Sequence, residues 1–333
     1  MKAFFLHPAL RRTLVIGLAL FLLWYSFRGV DLEAIWQAMR ATDHGLLMLA
    51  GLSMALAFGV RALRWRMLFG PNHPITYISV WQATMVCYLG NCYLPARAGE
   101  VMRIHLLGRA TNISRNFLLG TVVVERASDV VMVAAACGVG VLFLPAAPLW
   151  LSSAAGAMTI TACSILAVLL SMPWLGNRAD RIVSLLRIPV AYRPQASKLL
   201  GTFLGGANAL RLPSRFIAFN LLSPLYLLLD AMALVFLSEA MSLPLSLPQC
   251  LLVLGAIGLA MTLPSTPGGL GIFQMVAVTV LPPFGFMKPE ALAYILVYQG
   301  LGYVVVTLFG VWSLWRLQDA AKQTAREPNL TSV

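Results

Sequence analysis

Apolar runs close to 20 residues long recur through the chain, and that recurrence constrains the fold more than any other feature. A helix needs about 20 apolar residues to cross the hydrocarbon of a bilayer. In hydrocarbon every backbone N–H and C=O must be bonded internally, so runs of this kind cross as helices. Six stretches have the length: 13–28, 45–63, 117–144, 150–172, 216–240 and 290–315. Of the 333 residues, 59% are hydrophobic and 11% charged, against roughly 45–50% and 25% in soluble domains. The expected fold class is all-α: a polytopic membrane helix bundle forming one integral membrane domain over 1–333. The first run follows Lys2, Arg11 and Arg12 as in a signal peptide. Ser26-Phe27-Arg28 is a poor cleavage site, so the run is read as a retained helix.

Two more apolar stretches do not behave as simple spans. The stretch 75–95 contains Gly90, Asn91 and Pro95, which should break it. The stretch 249–283 is interrupted by Pro264-Ser265-Thr266-Pro267-Gly268-Gly269. The halves flanking that interruption are too short to span alone. Both stretches are read as re-entrant hairpins.

Net charge is +12. The basic residues flank apolar segments, so the positive-inside rule accounts for them and nucleic acid is not expected as a partner. With both broken stretches drawn as hairpins, most of the 24 lysines and arginines fall on one face, including Arg61, Arg64, Arg66, Arg97, Arg103, Arg109 and Arg115. Only Arg28, Arg40 and Lys288 fall on the other, with Arg126 inside a span. This path puts both termini in the cytoplasm, a long cytoplasmic loop at 177–215 and a short tail at 316–333. It also makes 13–144 and 150–315 two units of opposite orientation, the inverted-repeat layout of many transporters. An amphipathic surface helix is expected within 196–210. Trp24, Tyr25, Trp65, Trp150, Trp174, Trp312 and Trp315 are read as an interfacial aromatic belt. The five cysteines sit in apolar stretches without a CxxC and the four histidines are scattered, so no metal and no cofactor is expected.

Charged and polar residues inside such segments are the candidate site. In Asn91-x3-Pro95-Ala96-Arg97-Ala98-Gly99-Glu100-Val101-Met102-Arg103, Arg97, Glu100 and Arg103 recur at spacings of three and share one helix face. They read as a phosphate clamp, with Glu100 orienting an arginine. The plainer alternative is a solvated turn whose charges pair with one another. Glu125, Arg126 and Asp129 lie inside the third span on an arc of about 100°. Three charges near a helix centre cost about 8–10 kcal/mol, and the apolar residues of that span return only about 6. They must therefore pair or line water, as a polar path or as a structural ion network. Ser265, Thr266, Gly268 and Gly269 form a turn whose free backbone groups need protein or water around them. The limb after Leu270 would aim the positive end of its dipole at the midplane. Asp230, with Tyr226 one turn away, is a lone intramembrane acid that either couples protons or bonds a neighbour.

Three blocks carry a resemblance. Leu94-Pro95-Ala96-Arg97-Ala98-Gly99-Glu100 with Arg103, then Glu125-Arg126 with Asp129, then Pro264-Ser265-Thr266-Pro267-Gly268-Gly269-Leu270-Gly271 resemble, in order, the lysylphosphatidylglycerol synthase transmembrane family of flippase-like domain proteins. The resemblance implies residence in a bacterial inner membrane and flipping of a lipid, anionic, aminoacylated or polyisoprenoid-type. Two positions depart from the family's pattern. Gln274 stands where an acid is common and Gln299 where a base is common, as if a buried ion pair had been neutralised together. Only 17 residues follow Arg316, so lysyl transfer is not expected. The alternatives are a membrane-embedded lipid-linked glycosyl or phosphoryl transferase, and a non-catalytic partner of a lipid-synthesising enzyme.

Overall fold

The computed structural model describes residues 24, 32–71, 73–94, 97–142, 193–243, 245–261 and 267–326, with scattered positions between 156 and 184. The expected spans 13–28 and 150–172 fall largely outside the described residues, and Ser265 and Thr266 fall wholly outside them. The described part is an all-α bundle. Its helices are α1 (Leu32–Arg40), α2 (His44–Arg66), α3 (Tyr77–Tyr93), α4 (Ala98–Thr111) and α5 (Arg115–Leu142). They continue with α6 (Arg193–Leu204), α7 (Pro213–Ala240), α8 (Leu247–Ala260), α9 (Ile272–Val280) and α10 (Lys288–Arg326).

Local chemistry sets the boundaries. The Asp43 carboxylate accepts from Leu46 N–H at 2.9 Å and starts α2. Thr76 starts α3 in the same way, and a capping box of Ser246 and Gln249 starts α8. Among the described residues, α2, α7 and the segment Lys288–Lys322 of α10 are long and apolar enough to cross a membrane. At 28 residues α5 also has the length, but it carries Glu125, Arg126 and Asp129. The remaining apolar helices are short. At 1.5 Å per residue, α3 (17 residues) reaches about 26 Å, α4 and α8 (14 each) about 21 Å, and α9 (9) about 14 Å, against roughly 30 Å of hydrocarbon.

The first broken stretch differs from expectation. Gly90 and Asn91 do not interrupt it: α3 continues through both to Tyr93, and the return limb is α4. Gly90 instead permits close approach. A Cβ on Gly90 would lie 2.5 Å from Gly99 Cα, and one on Gly99 would lie 1.9 Å from the Cys87 carbonyl oxygen. The second stretch breaks where expected, between α8 and α9, with Gly268, Gly269 and Gly271 all at positive φ.

The 177–215 segment is not simply a loop. Residues 193–204 form α6, and Gly205–Arg211 continue as a 3₁₀ turn. Gly206 lies against Gly120 of α5 so closely that a Cβ on Gly120 would meet the Phe203 carbonyl oxygen at 2.0 Å. Those glycines serve packing, and the segment is docked on the bundle. Helix α1, amphipathic and too short to register as a span, packs on α10.

Buried residues form two main clusters. One joins α2, α7, α8, α9 and the first half of α10 around Leu234, Leu281 and Tyr294. The other joins the end of α2 with α3, α4 and α5 around Trp65, Leu107 and Leu118. Among the described residues the α2–α7 pair has the most extensive contact. Polar and charged residues gather where the two clusters meet.

Candidate functional site

Four helices each contribute a pair or trio of charged or polar side chains at helical spacing. Arg61 and Arg64 come from α2, Glu100 and Arg103 from α4, Glu125, Arg126 and Asp129 from α5, and Tyr226 and Asp230 from α7. Spacings of three and four put each set on one helix face, and the bundle turns those faces toward one another.

Arg126 is the hub. Its guanidinium reaches Glu100 Oε1 at 3.2 Å, Glu125 Oε1 at 3.1 Å and Asp129 Oδ2 at 3.1 Å. Arg103 Nη2 lies 2.7 Å from Glu100 Oε2 and 2.9 Å from Glu125 Oε2, with the side chain wholly buried. Arg64 Nη1 meets Asp129 Oδ1 at 2.6 Å, and its Nη2 donates to the Glu125 carbonyl at 3.3 Å. Tyr226 O–H donates to Asp129 Oδ1 at 3.2 Å. Arg61 forms a two-pronged pair with Asp230. Aromatic faces support the cations: Arg61 sits 4.6 Å from the Tyr226 ring centroid, Arg64 4.6 Å from Phe219 and Arg103 4.5 Å from Trp65.

The two constellations seen separately in the sequence are thus one network. It pairs four arginines with four carboxylates, which is how charges persist in an apolar bundle. Asp230 is not a lone acid, since Arg61 holds it. Arg64 and Arg103 are not solvated as their flanking position suggested, being 1% and 0% exposed, and Arg61 lines the cavity. Trp65, expected at the interface, is also fully buried, with its Nε1–H donating to Thr121 Oγ1 at 3.1 Å. Arg61 and Arg64 are the functional-site candidates that sequence reasoning missed. One signal was available: four acids inside apolar stretches require four nearby bases.

The network faces a cavity of about 420 Å³, within the usual range for a ligand pocket. Its charged wall is Arg61, Arg97, Glu100, Arg126, Asp129 and Asp230. Val130, Val133, Leu254, Ile257 and Phe273 add apolar lining to the same cavity, the two valines on the same face of α5 as Arg126 and Asp129. Glu125 and Arg103 stand behind the charged wall.

Both short hairpins close on this cavity. Asn91 and Gly268 line it. Asn91 Oδ1 also accepts from Gly99 N–H at 3.2 Å, so a residue of α3 caps the start of α4. Arg97 occupies the left-handed region (φ 54°, ψ 40°), a conformation that costs about 1–2 kcal/mol for a residue with a Cβ. Its exposed side chain crosses to the second hairpin and donates to the Met261 carbonyl at the end of α8. That carbonyl is at the negative end of the helix dipole, a natural perch for a cation.

Gln274 and Gln299 do not line the cavity. They brace the second turn: Gly271 N–H donates to Gln274 Oε1, Gln274 Nε2 to Gln299 Oε1 and Gln299 Nε2 to the Gly268 carbonyl, at 2.8, 2.8 and 2.7 Å. Gly269, beside Gly268, is buried against Met261 and Phe273.

Fold and site together define a polytopic helical membrane protein with an ion-paired cavity between short helical hairpins. The family of the lysylphosphatidylglycerol synthase transmembrane region matches residues 12–310, and the chain belongs to that family. Among curated proteins, none matches it.

Proposed function

We propose that the protein moves a membrane lipid between leaflets of the bacterial inner membrane, with the headgroup passing through the charged cavity. The observation that carries this reading is a cavity lined by both charged and apolar side chains, flanked by helices too short to cross a bilayer. A lipid likewise joins a polar head to apolar chains. Family membership supports a lipid-related role in the membrane. In this reading the α3–α4 and α8–α9 pairs are re-entrant and belong to two inverted units, with both termini cytoplasmic. Asn91, Arg97, Glu100, Arg126, Asp129 and Gly268 border the path, while Arg103, Glu125, Gln274 and Gly269 support it.

The carboxylates of the network are all engaged by arginines, which suits a binding wall more than acid–base chemistry. On this reading the chain is a translocator and not a transferase.

Purified protein in liposomes carrying a fluorescent lipid in both leaflets tests the proposal. Bleaching by an external reductant should go well beyond the outer-leaflet fraction, and Arg126→Ala should abolish the excess. Bleaching that stops at the outer-leaflet fraction with folded wild-type protein overturns it.

A further inference from the structure

We infer that the cavity selects headgroups carrying one negative charge, as a phosphodiester does, over doubly charged phosphomonoesters and over cationic headgroups. The inference rests on the cavity being a headgroup site, and it follows from charge matching.

Arg61, Arg64, Arg103 and Arg126 are each paired with at least one of Glu100, Glu125, Asp129 and Asp230. That set is neutral. Arg97 is the fifth arginine of the site and, with Arg61 and Arg126, one that lines the cavity; among the described residues it makes no ion pair. Its guanidinium rests on the neutral Met261 carbonyl. The site as a whole therefore carries one uncompensated positive charge, placed on an exposed side chain at the cavity lining.

A phosphodiester oxygen is a better acceptor for a guanidinium than a carbonyl, because the hydrogen bond becomes charge-assisted. One negative charge on Arg97 brings the site to neutrality. A second would face Glu100, Asp129 and Asp230 with every other cation already engaged, in surroundings of lower dielectric than water. A cationic headgroup would meet Arg97 with no free carboxylate to receive it. Arg97 is thus the residue that sets the preferred charge, and the paired groups form a neutral backdrop.

Binding to the full chain in detergent, followed by native mass spectrometry, reads this without transport. The probes are phosphatidylglycerol, phosphatidic acid at a pH where it bears two charges, and the cationic phosphotriester ethylphosphatidylcholine, all with the same acyl chains. Phosphatidylglycerol should bind about tenfold or more tightly than either competitor, the size expected of one charge-assisted contact. Arg97→Gln, which removes no ion pair, should erase that preference. Glu100→Gln, which leaves the site with one more positive charge, should shift preference toward phosphatidic acid. Phosphatidic acid binding the wild type as well as phosphatidylglycerol overturns the inference, and so does an unchanged preference in Arg97→Gln that melts like wild type. If Glu100→Gln fails to fold, those two comparisons decide alone. Selective binding without leaflet transfer would overturn the flipping proposal and leave this inference standing; transfer without charge preference would do the reverse.

Discussion

Gln274 and Gln299 meet through one hydrogen bond of 2.8 Å from Nε2 to Oε1, with their side chains 0% and 7% exposed. The contact joins α9 to α10 and hands on to the Gly268 carbonyl. It gives a physical account of the two departures that the resemblance implies at these positions, an acid and a base replaced together by neutral amides. An amide pair holds the same geometry without the desolvation cost of two buried ions.

That contact predicts an asymmetric double-mutant cycle. Gln274→Glu alone buries an unpaired carboxylate and Gln299→Arg alone an unpaired guanidinium, each costing about 3–5 kcal/mol. The double substitution restores a pair across the same gap and should be tolerated better than either single. Melting temperatures of the purified variants measure this, and equal damage in all three would show that the two positions are not coupled.

The Arg61–Asp230 pair joins α2 to α7, the most extensive helix contact among the described residues. Asp230→Ala strands a guanidinium whose other neighbours are the rings of Phe58, Tyr88 and Tyr226. It should destabilise by about 3–5 kcal/mol, whereas adding Arg61→Ala should recover part of the loss. Additive losses in denaturation of the single and double variants would mean that the pair contributes no coupling.

Some of this was readable from residues alone. The break between α8 and α9 announced itself because Pro and Gly do not continue a helix, and the trio on α5 did so because charges cannot face lipid. Arg61 and Arg64 escaped because arginines at the end of an apolar run look like anchors at the membrane surface. Only the path of α7 and α5, set by distant packing, brings Asp230 and Asp129 beside them. Gly90 was misread for a related reason. A glycine in a helix signals either a break or a close neighbour, and the neighbour, Gly99, becomes visible only once the hairpin is closed. Where α6 docks was likewise hidden, because Gly206 acquires its meaning from Gly120 more than 80 residues earlier.

Glycine substitutions should separate packing from mere helix content. Gly99→Ala would drive a methyl to 1.9 Å from the Cys87 carbonyl oxygen, and Gly268→Ala one to 1.6 Å from the Tyr303 hydroxyl at a positive φ. Each should cost about 1–3 kcal/mol or more, since the obstacle at Gly99 is backbone and the conformation at Gly268 disfavours a Cβ. Gly300→Ala in α10 meets nothing within 4 Å and should be neutral or stabilising by about 0.5–1 kcal/mol. Thermal melts of the three variants side by side give the comparison, and a Gly99→Ala protein as stable as Gly300→Ala would disprove the close hairpin.

Arg126 touches three carboxylates at once, which distinguishes it from every other cation in the network. Its planar fork presents Nε, Nη1 and Nη2 in separate directions, one to each of Glu100, Asp129 and Glu125. A lysine keeps the charge but concentrates it at one ammonium, which cannot hold all three acids in place. Arg126→Lys should therefore fold with a modest drop in melting temperature, while lipid transfer in liposomes falls by about tenfold or more, the effect of losing a charge-assisted contact. Arg126→Gln should lose both, because three acids would then share only Arg64 and Arg103. If Arg126→Lys transfers lipid at the wild-type rate, a positive charge alone suffices there, and the fork geometry that holds the wall together plays no part in transport.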